Sequence, residues 1–254
     1  MPRTARCVLM AVAAGALLVL YVWGATGLPD FGETVSVYGT KITSVVSTER
    51  QTTNAVSAIV FDYRGLDTLG EEAILFISVV GVALLLRTQP GERHGVPAAA
   101  EAADTAPRGS DAVRALGVVA IGTTVLVGLY IVGHGQLTPG GGFQGGVVLG
   151  SALIAVYATG AMRSVRVLGP RQWMDAVHAA GAAGLALLAL GGLIAGGAFF
   201  HNFLYTGTTG QLNSGGVIPL GNVAVGIEVV GAITMLTAEV LRDAVMASDE
   251  GDAA

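Results

Sequence analysis

Apolar residues along this chain fall in blocks of roughly 20, separated by short polar or glycine-rich stretches, instead of alternating singly with polar ones. A helix of about 20 apolar residues crosses a hydrocarbon layer of about 30 Å, so each block is a candidate membrane span. Six blocks qualify: Cys7 to Ala25, Thr68 to Leu86, Val113 to His134, Phe143 to Met162, Met174 to Phe200 and Val217 to Leu241. The second is the weakest, because Glu71 and Glu72 interrupt its start. The clean run from Ala73 to Leu86 reaches only about 21 Å, so Thr68 to Glu72 must help span or the bilayer must thin. The pattern predicts an all-α integral membrane protein with about six transmembrane helices, two and then four. A polar, amphipathic extracytoplasmic segment separates the first two.

Positive charge orients these spans. With a cytoplasmic amino terminus, ten of the thirteen Lys and Arg side chains fall on the cytoplasmic side, leaving Lys41, Arg50 and Arg64 outside. That asymmetry is the positive-inside pattern and predicts both termini in the cytoplasm. The first block could also be read as a signal peptide, but its apolar stretch is long for one and no A-x-A site follows. Residues 91–112, including VPAAAEAADTAPRGSD, read as a flexible cytoplasmic linker. They divide a two-span module over 1–90 from a four-span domain over 113–242, and an acidic tail over 243–254 closes the chain as a solvated end.

Composition narrows the function classes. The chain is 52% hydrophobic and 12% charged, about half the charge fraction of a soluble domain. Net charge is −5 and no basic patch carries interleaved aromatics, so nucleic acid is not an expected partner. The single cysteine, Cys7, excludes an internal disulfide framework and a cysteine-based metal site. The chain has no P-loop, dinucleotide fingerprint, zinc motif or nucleophile elbow. The expectation is a lipid-embedded protein that is not an enzyme, with no cofactor and no bound metal.

Three stretches carry candidate chemistry. In NAVSAIVFDYRGLDTLGEEAIL, Asp62, Arg64, Asp67, Glu71 and Glu72 crowd the entrance of the second span. One reading is a capped helix start, with Asp67 before the helix, Glu71 in its first turn and Arg64 pairing one carboxylate. The other is a mouth that collects cations or passes protons. HGQLTPGGGFQGG, over 134–146, sits between two spans, where unpaired backbone amides at membrane depth would each cost several kcal/mol. Pro139 with Gly140, Gly141 and Gly142, followed by Phe143 and Gln144, reads as a compact turn between two spans. Gly145, Gly146 and Gly150 would let a neighbouring helix approach closely. His134, at a span end, is a boundary residue or a proton relay. His178, three residues after Asp175, reads as half of a local pair. Glu228 lies eleven residues into the last span, near mid-membrane, where a carboxylate is costly enough to suggest function or a buried pair with a neighbouring subunit.

The first stretch resembles the carboxy-terminal module of the large A subunit of Mrp-type multisubunit sodium/proton antiporters, and the related small E subunit of membrane-bound hydrogenases. The shared pattern, N-x-V-x-x-I-x-x-D-x-R-G-x-D-T-x-G-E, is met by Asn54, Val56, Ile59, Asp62, Arg64, Gly65, Asp67, Thr68, Gly70 and Glu71. The glycine stretch is similar to the signature of the antiporter B subunit, with its histidine, P-G-G-G-F run and following glutamine. The resemblance implies an accessory subunit in a prokaryotic plasma membrane. Its partners would be large proton-translocating subunits and small membrane subunits, its transported ions sodium and protons, and it would line a sodium path. Ion-path candidates are then Asp62, Arg64, Asp67, Glu71, His134 and Glu228. The alternative implied is the ion-translocating arm of a hydrogenase-like or ferredoxin-linked redox complex.

Overall fold

The computed structural model describes residues 3–28, 36–86, 111–158 and 171–252. Among them there is no β-strand. The described helices, in chain order, are α1 (Arg3–Thr26), α2 (Val37–Glu49), α3 (Ala55–Ala58), a π-helical turn (Ile59–Tyr63), α4 (Gly65–Leu85), α5 (Asp111–Gly133), α6 (Gly142–Ala158), α7 (Arg171–Gly196) and α8 (Ile218–Asp252). Five of these helices are long and apolar enough to cross a membrane: α1, α4, α5, α7 and α8. The sixth expected span begins as α6, and its end beyond Ala158 lies outside the described residues, as does nearly all of the expected linker.

The chain forms two compact units, Met1–Ile42 and Thr43–Ala254. In the first, α1 presents apolar side chains on every face, with Leu9, Met10, Leu17, Val19, Tyr21 and Trp23 all exposed. A helix that is apolar all round belongs in lipid or against other apolar helices.

The second unit is arranged around α8. It packs on α4, α5, α6 and α7, and 61% of its spanning window is buried. Its close contacts with α6 and α7 rest on glycines. On α6, a methyl at Gly146 would press on Val229 and Gly226, and one at Gly150 on Ile233. On α7, a methyl at Gly181 would fall against the backbone of Glu228, while on α8 one at Gly231 would fall against that of His178. Small residues at such crossings bring helix backbones together where lipid supplies no hydrophobic drive. On α4, Gly65, Thr68, Glu72, Val79 and Ala83 are buried, spaced by threes, fours and sevens as one face of a helix should be. The apolar part of that face, Val79 and Ala83, meets Ala232 and Met235 of α8.

Two details depart from the sequence reading. Helix α4 begins at Gly65, so Asp67 sits within its first turn and Glu71 lies beyond it. The backbone of α8 continues as helix to Asp252, through most of the tail expected to be a solvated end.

Candidate functional site

Residues Thr52 to Asn54 lie directly on the glycine-rich loop between α5 and α6. The Thr52 hydroxyl and the backbone amides of Thr53 and Asn54 all donate to the carbonyl of Gln136. The Asn54 amide donates to the carbonyls of Gly135 at 2.7 Å and Thr138 at 2.9 Å. Its Oδ1 accepts from the amides of Val56 and Ser57, capping α3. One side chain therefore starts a helix and satisfies the carbonyls of the loop that looked hardest to place at membrane depth.

Asn222, on the first turns of α8, holds the other side of this loop. Its Oδ1 accepts the amide of Gly142 at 2.8 Å, and its Nδ2 donates to the Ser57 hydroxyl at 3.0 Å. Gly140 and Gly141 adopt φ of 135° and 150°, which a side chain would strain. Around this joint lies a cavity of about 280 Å³, whose lining includes Thr68, Glu71, Glu72, Gly140 to Gln144 and Asn222. Pro139, Phe143 and Gln144 are exposed around the turn.

The residues of the acidic cluster separate. Asp62 pairs with Arg50 Nε at 2.8 Å and accepts from Asn202 Nδ2 at 2.9 Å, its side chain 5% exposed. The Arg50 guanidinium also stacks over Tyr63, whose hydroxyl donates to Glu49. Burial, helped by that bond to Glu49, pushes the Tyr63 phenol up to about 12. Asp62 thus ties the turn after α3 to the loop that precedes α8. Arg64 and Asp67 form an exposed ion pair. Glu71 faces the cavity mouth, exposed. His134 stacks on Tyr130 with ring centroids 4.1 Å apart, and its Nδ1 contacts the Tyr130 carbonyl at 3.1 Å.

Glu228 lies ten residues into α8, about 15 Å at 1.5 Å per residue, which is half the depth of a bilayer core. It is fully buried, and Glu72 is 4% exposed. Their carboxyl groups stand within direct electrostatic reach of each other. Among the described residues, no donor from outside the pair bonds either Glu228 oxygen or Glu72 Oε2. Among the described residues, the ion pairs Arg50–Asp62 and Arg64–Asp67 lie elsewhere, and no Lys or Arg is paired with this site. Two carboxylates this close and this deep cannot both stay charged without a counter-charge, which makes the pair a candidate to hold a proton or a cation.

His178 of α7 completes the surroundings. It is 1% exposed, stacks on Phe76 at 4.8 Å, and its Nδ1 lies 3.1 Å from the Glu228 carbonyl. Its bonded partner is that carbonyl, across the helix interface, where the sequence had suggested Asp175. A second cavity, of about 470 Å³, opens beside it toward the end of α4 and the start of α7, and its lining includes Phe76, Gln172, Asp175, His178 and Met235. Among the described residues, no group of three or more His, Cys, Asp or Glu side chains is arranged to hold a metal ion.

Of the residues singled out from sequence, Glu71 and the Gly140 to Gln144 turn therefore meet in one cavity, and Glu228 meets its neighbour Glu72. Asp62, the Arg64–Asp67 pair and His134 stand in separate contacts. Sequence reasoning missed Glu72 as a site residue, together with Asn54 and Asn222 as clamps. For Glu72 a signal existed, because it shares the heptad-spaced face of Thr68, Val79 and Ala83 whereas Glu71 does not.

Comparison with known proteins places this geometry in a family. Residues 112–235 match the domain related to the MnhB subunit of Na+/H+ antiporters, and residues 2–101 match the E subunit of MBH. The uncharacterized protein MJ1307 of Methanocaldococcus jannaschii is 30% identical over 196 residues, covering 71% of this chain and 74% of that protein. A probable K(+)/H(+) antiporter A/B subunit of Rhizobium meliloti is 31% identical over 195 residues, which cover 68% of this chain but only 19% of that longer protein. In the structure of the membrane-bound sulfane sulfur reductase (MBS), an archaeal respiratory membrane complex, one chain is 31% identical with a TM-score of 0.70. That match covers 92% of this chain and 98% of the other. A chain of the Mrp complex from Dietzia sp. DQ12-45-1b shares the fold at a TM-score of 0.64 and 24% identity, over 94% of this chain and 26% of that one. This chain belongs to the family of MJ1307, a multi-pass membrane protein joining in one polypeptide a module that matches the E subunit of MBH to a domain related to the MnhB subunit of Na+/H+ antiporters.

Proposed function

We propose that this chain is an accessory subunit of a sodium/proton antiporter complex and that its Glu72–Glu228 pair takes part in ion movement. The observation that carries the second half is the pair itself. An intramembrane carboxylate pair with which no described Lys or Arg is paired is costly enough to make function the default reading. The pair also stands between two cavities, with Glu72 lining one and His178, bonded to the Glu228 carbonyl, lining the other. Both termini face the cytoplasm in this reading, which puts the glycine-rich loop and the smaller cavity outside and the larger cavity inside.

The test is growth at high sodium in cells that depend on this complex. Glu228→Gln is expected to abolish it, whereas Glu239→Gln, buried at the inner end of the spanning part of the same helix, is expected to matter less. Equal tolerance of the two would remove the interior site from the proposal. A second reading, membrane arm of a respiratory redox complex, is favoured by the match over 98% of a chain from such a complex. Native purification separates the two: large antiporter-like subunits without redox proteins support the first, and co-purifying iron–sulfur subunits support the second.

A further inference from the structure

His178 is placed to do more than pack. A carbonyl oxygen only accepts hydrogen bonds, so the 3.1 Å contact with Glu228 O puts the hydrogen of the neutral ring on Nδ1. Nε2 is then a free base, and it is buried with no hydrogen-bond partner. The ring stacks on Phe76, one helical turn beyond Glu72, while its other edge is bonded to the backbone of Glu228 itself. The same residue lines the cavity of about 470 Å³, with Asp175 at its wall. An unpartnered buried base between an acid pair and a cavity is the arrangement a proton carrier needs.

We infer that His178 passes protons between the Glu72–Glu228 pair and the larger cavity, making that cavity one half of a proton path through this chain. The inference rests on the reading of the acid pair as the ion site and specifies its cargo. In the forward step an O–H bond of the pair breaks and an N–H bond forms at Nε2, directly or over one water. With both carboxyls protonated at the start, that leaves one carboxylate and one carboxylic acid beside an imidazolium. The imidazolium then releases its proton to water in the cavity, and the carboxylate is reprotonated through the smaller cavity, which Glu72 lines. Charge balances at each step and no electrons move. The titratable groups around the ring are Glu72 on α4, Glu228 on α8 and Asp175 on its own helix.

The test uses the whole complex in everted membrane vesicles, with assembly checked by co-purification. His178→Asn keeps a donor for the Glu228 carbonyl and removes the second ring nitrogen. Sodium-driven proton exchange is expected to fall on the order of a hundredfold. In His178→Ala, imidazole and related azoles added on the cavity side are expected to restore exchange in order of their basicity. Wild-type exchange in His178→Asn, or a loss in His178→Ala that no azole restores, would overturn the inference. Ala179→Trp gives an independent reading, since Ala179 is exposed and lines the same cavity. It should slow exchange without touching the carrier, and an unaffected rate counts against the path. Inactive Glu228→Gln alongside active His178→Asn would sink this inference alone, whereas activity in both would sink the underlying reading as well.

Discussion

Asn54 joins what would otherwise be two separate problems, the start of a short helix and the orphaned carbonyls of a loop. Its side chain caps α3 while its amide reaches Gly135 and Thr138 on the facing segment. Asn54→Ala removes the cap and strands those carbonyls, a loss of roughly 1 to 3 kcal/mol. Thermal unfolding of the purified complex should show a clear drop, and an unchanged midpoint would mean that water replaces these bonds. The sequence pattern N-x-V-x-x-I-x-x-D marked Asn54 as characteristic but not its target, since that lies more than 80 positions away. Glu72 illustrates the same limit. Its face was readable from the spacing of Thr68, Val79 and Ala83, but its partner 156 positions on was not. A pairing across two helices depends on which faces the bundle turns toward each other, and local periodicity is silent on that.

At the scale of elements, glycine placement decides which helices touch. Gly181 and Gly231 lie reciprocally against the backbones of Glu228 and His178, so α7 and α8 meet at the level of the acid pair. A methyl at Gly181 has no room, and Gly181→Ala is expected to destabilise by about 1 to 3 kcal/mol through overpacking. Gly122 on α5 has nothing within 4 Å of where a methyl would stand. Gly122→Ala should therefore be neutral or stabilise by up to about 1 kcal/mol through helix propensity. Opposite signs for the two in the same melting measurement would establish close helix contact, not glycine content, as the reason. The expectation that Gly146 and Gly150 admit a neighbouring helix was legible from their spacing. That the neighbour is α8, with Gly145 turned instead toward Val132 of α5, was not.

At the scale of the whole molecule, the front module and the MnhB-related domain both contribute to the candidate site. Glu72, Ser57 and Asn54 come from the first, and Glu228, Asn222 and the glycine loop come from the second. Hydrophobic block length made the all-helical membrane class readable, and two dense motifs made the family readable. The interior site was half readable, because Glu228 announced itself by its depth while Glu72 sat beside the more conspicuous Glu71. Everything proposed for this chain turns on its contributing the Glu72–Glu228 pair to ion movement in an antiporter complex. That contribution is tested most directly by sodium-driven proton exchange in everted vesicles carrying fully assembled Glu72→Gln or Glu228→Gln complexes. Both substitutions are expected to abolish exchange while assembly is retained, and exchange at the wild-type rate in either would contradict the role of the pair.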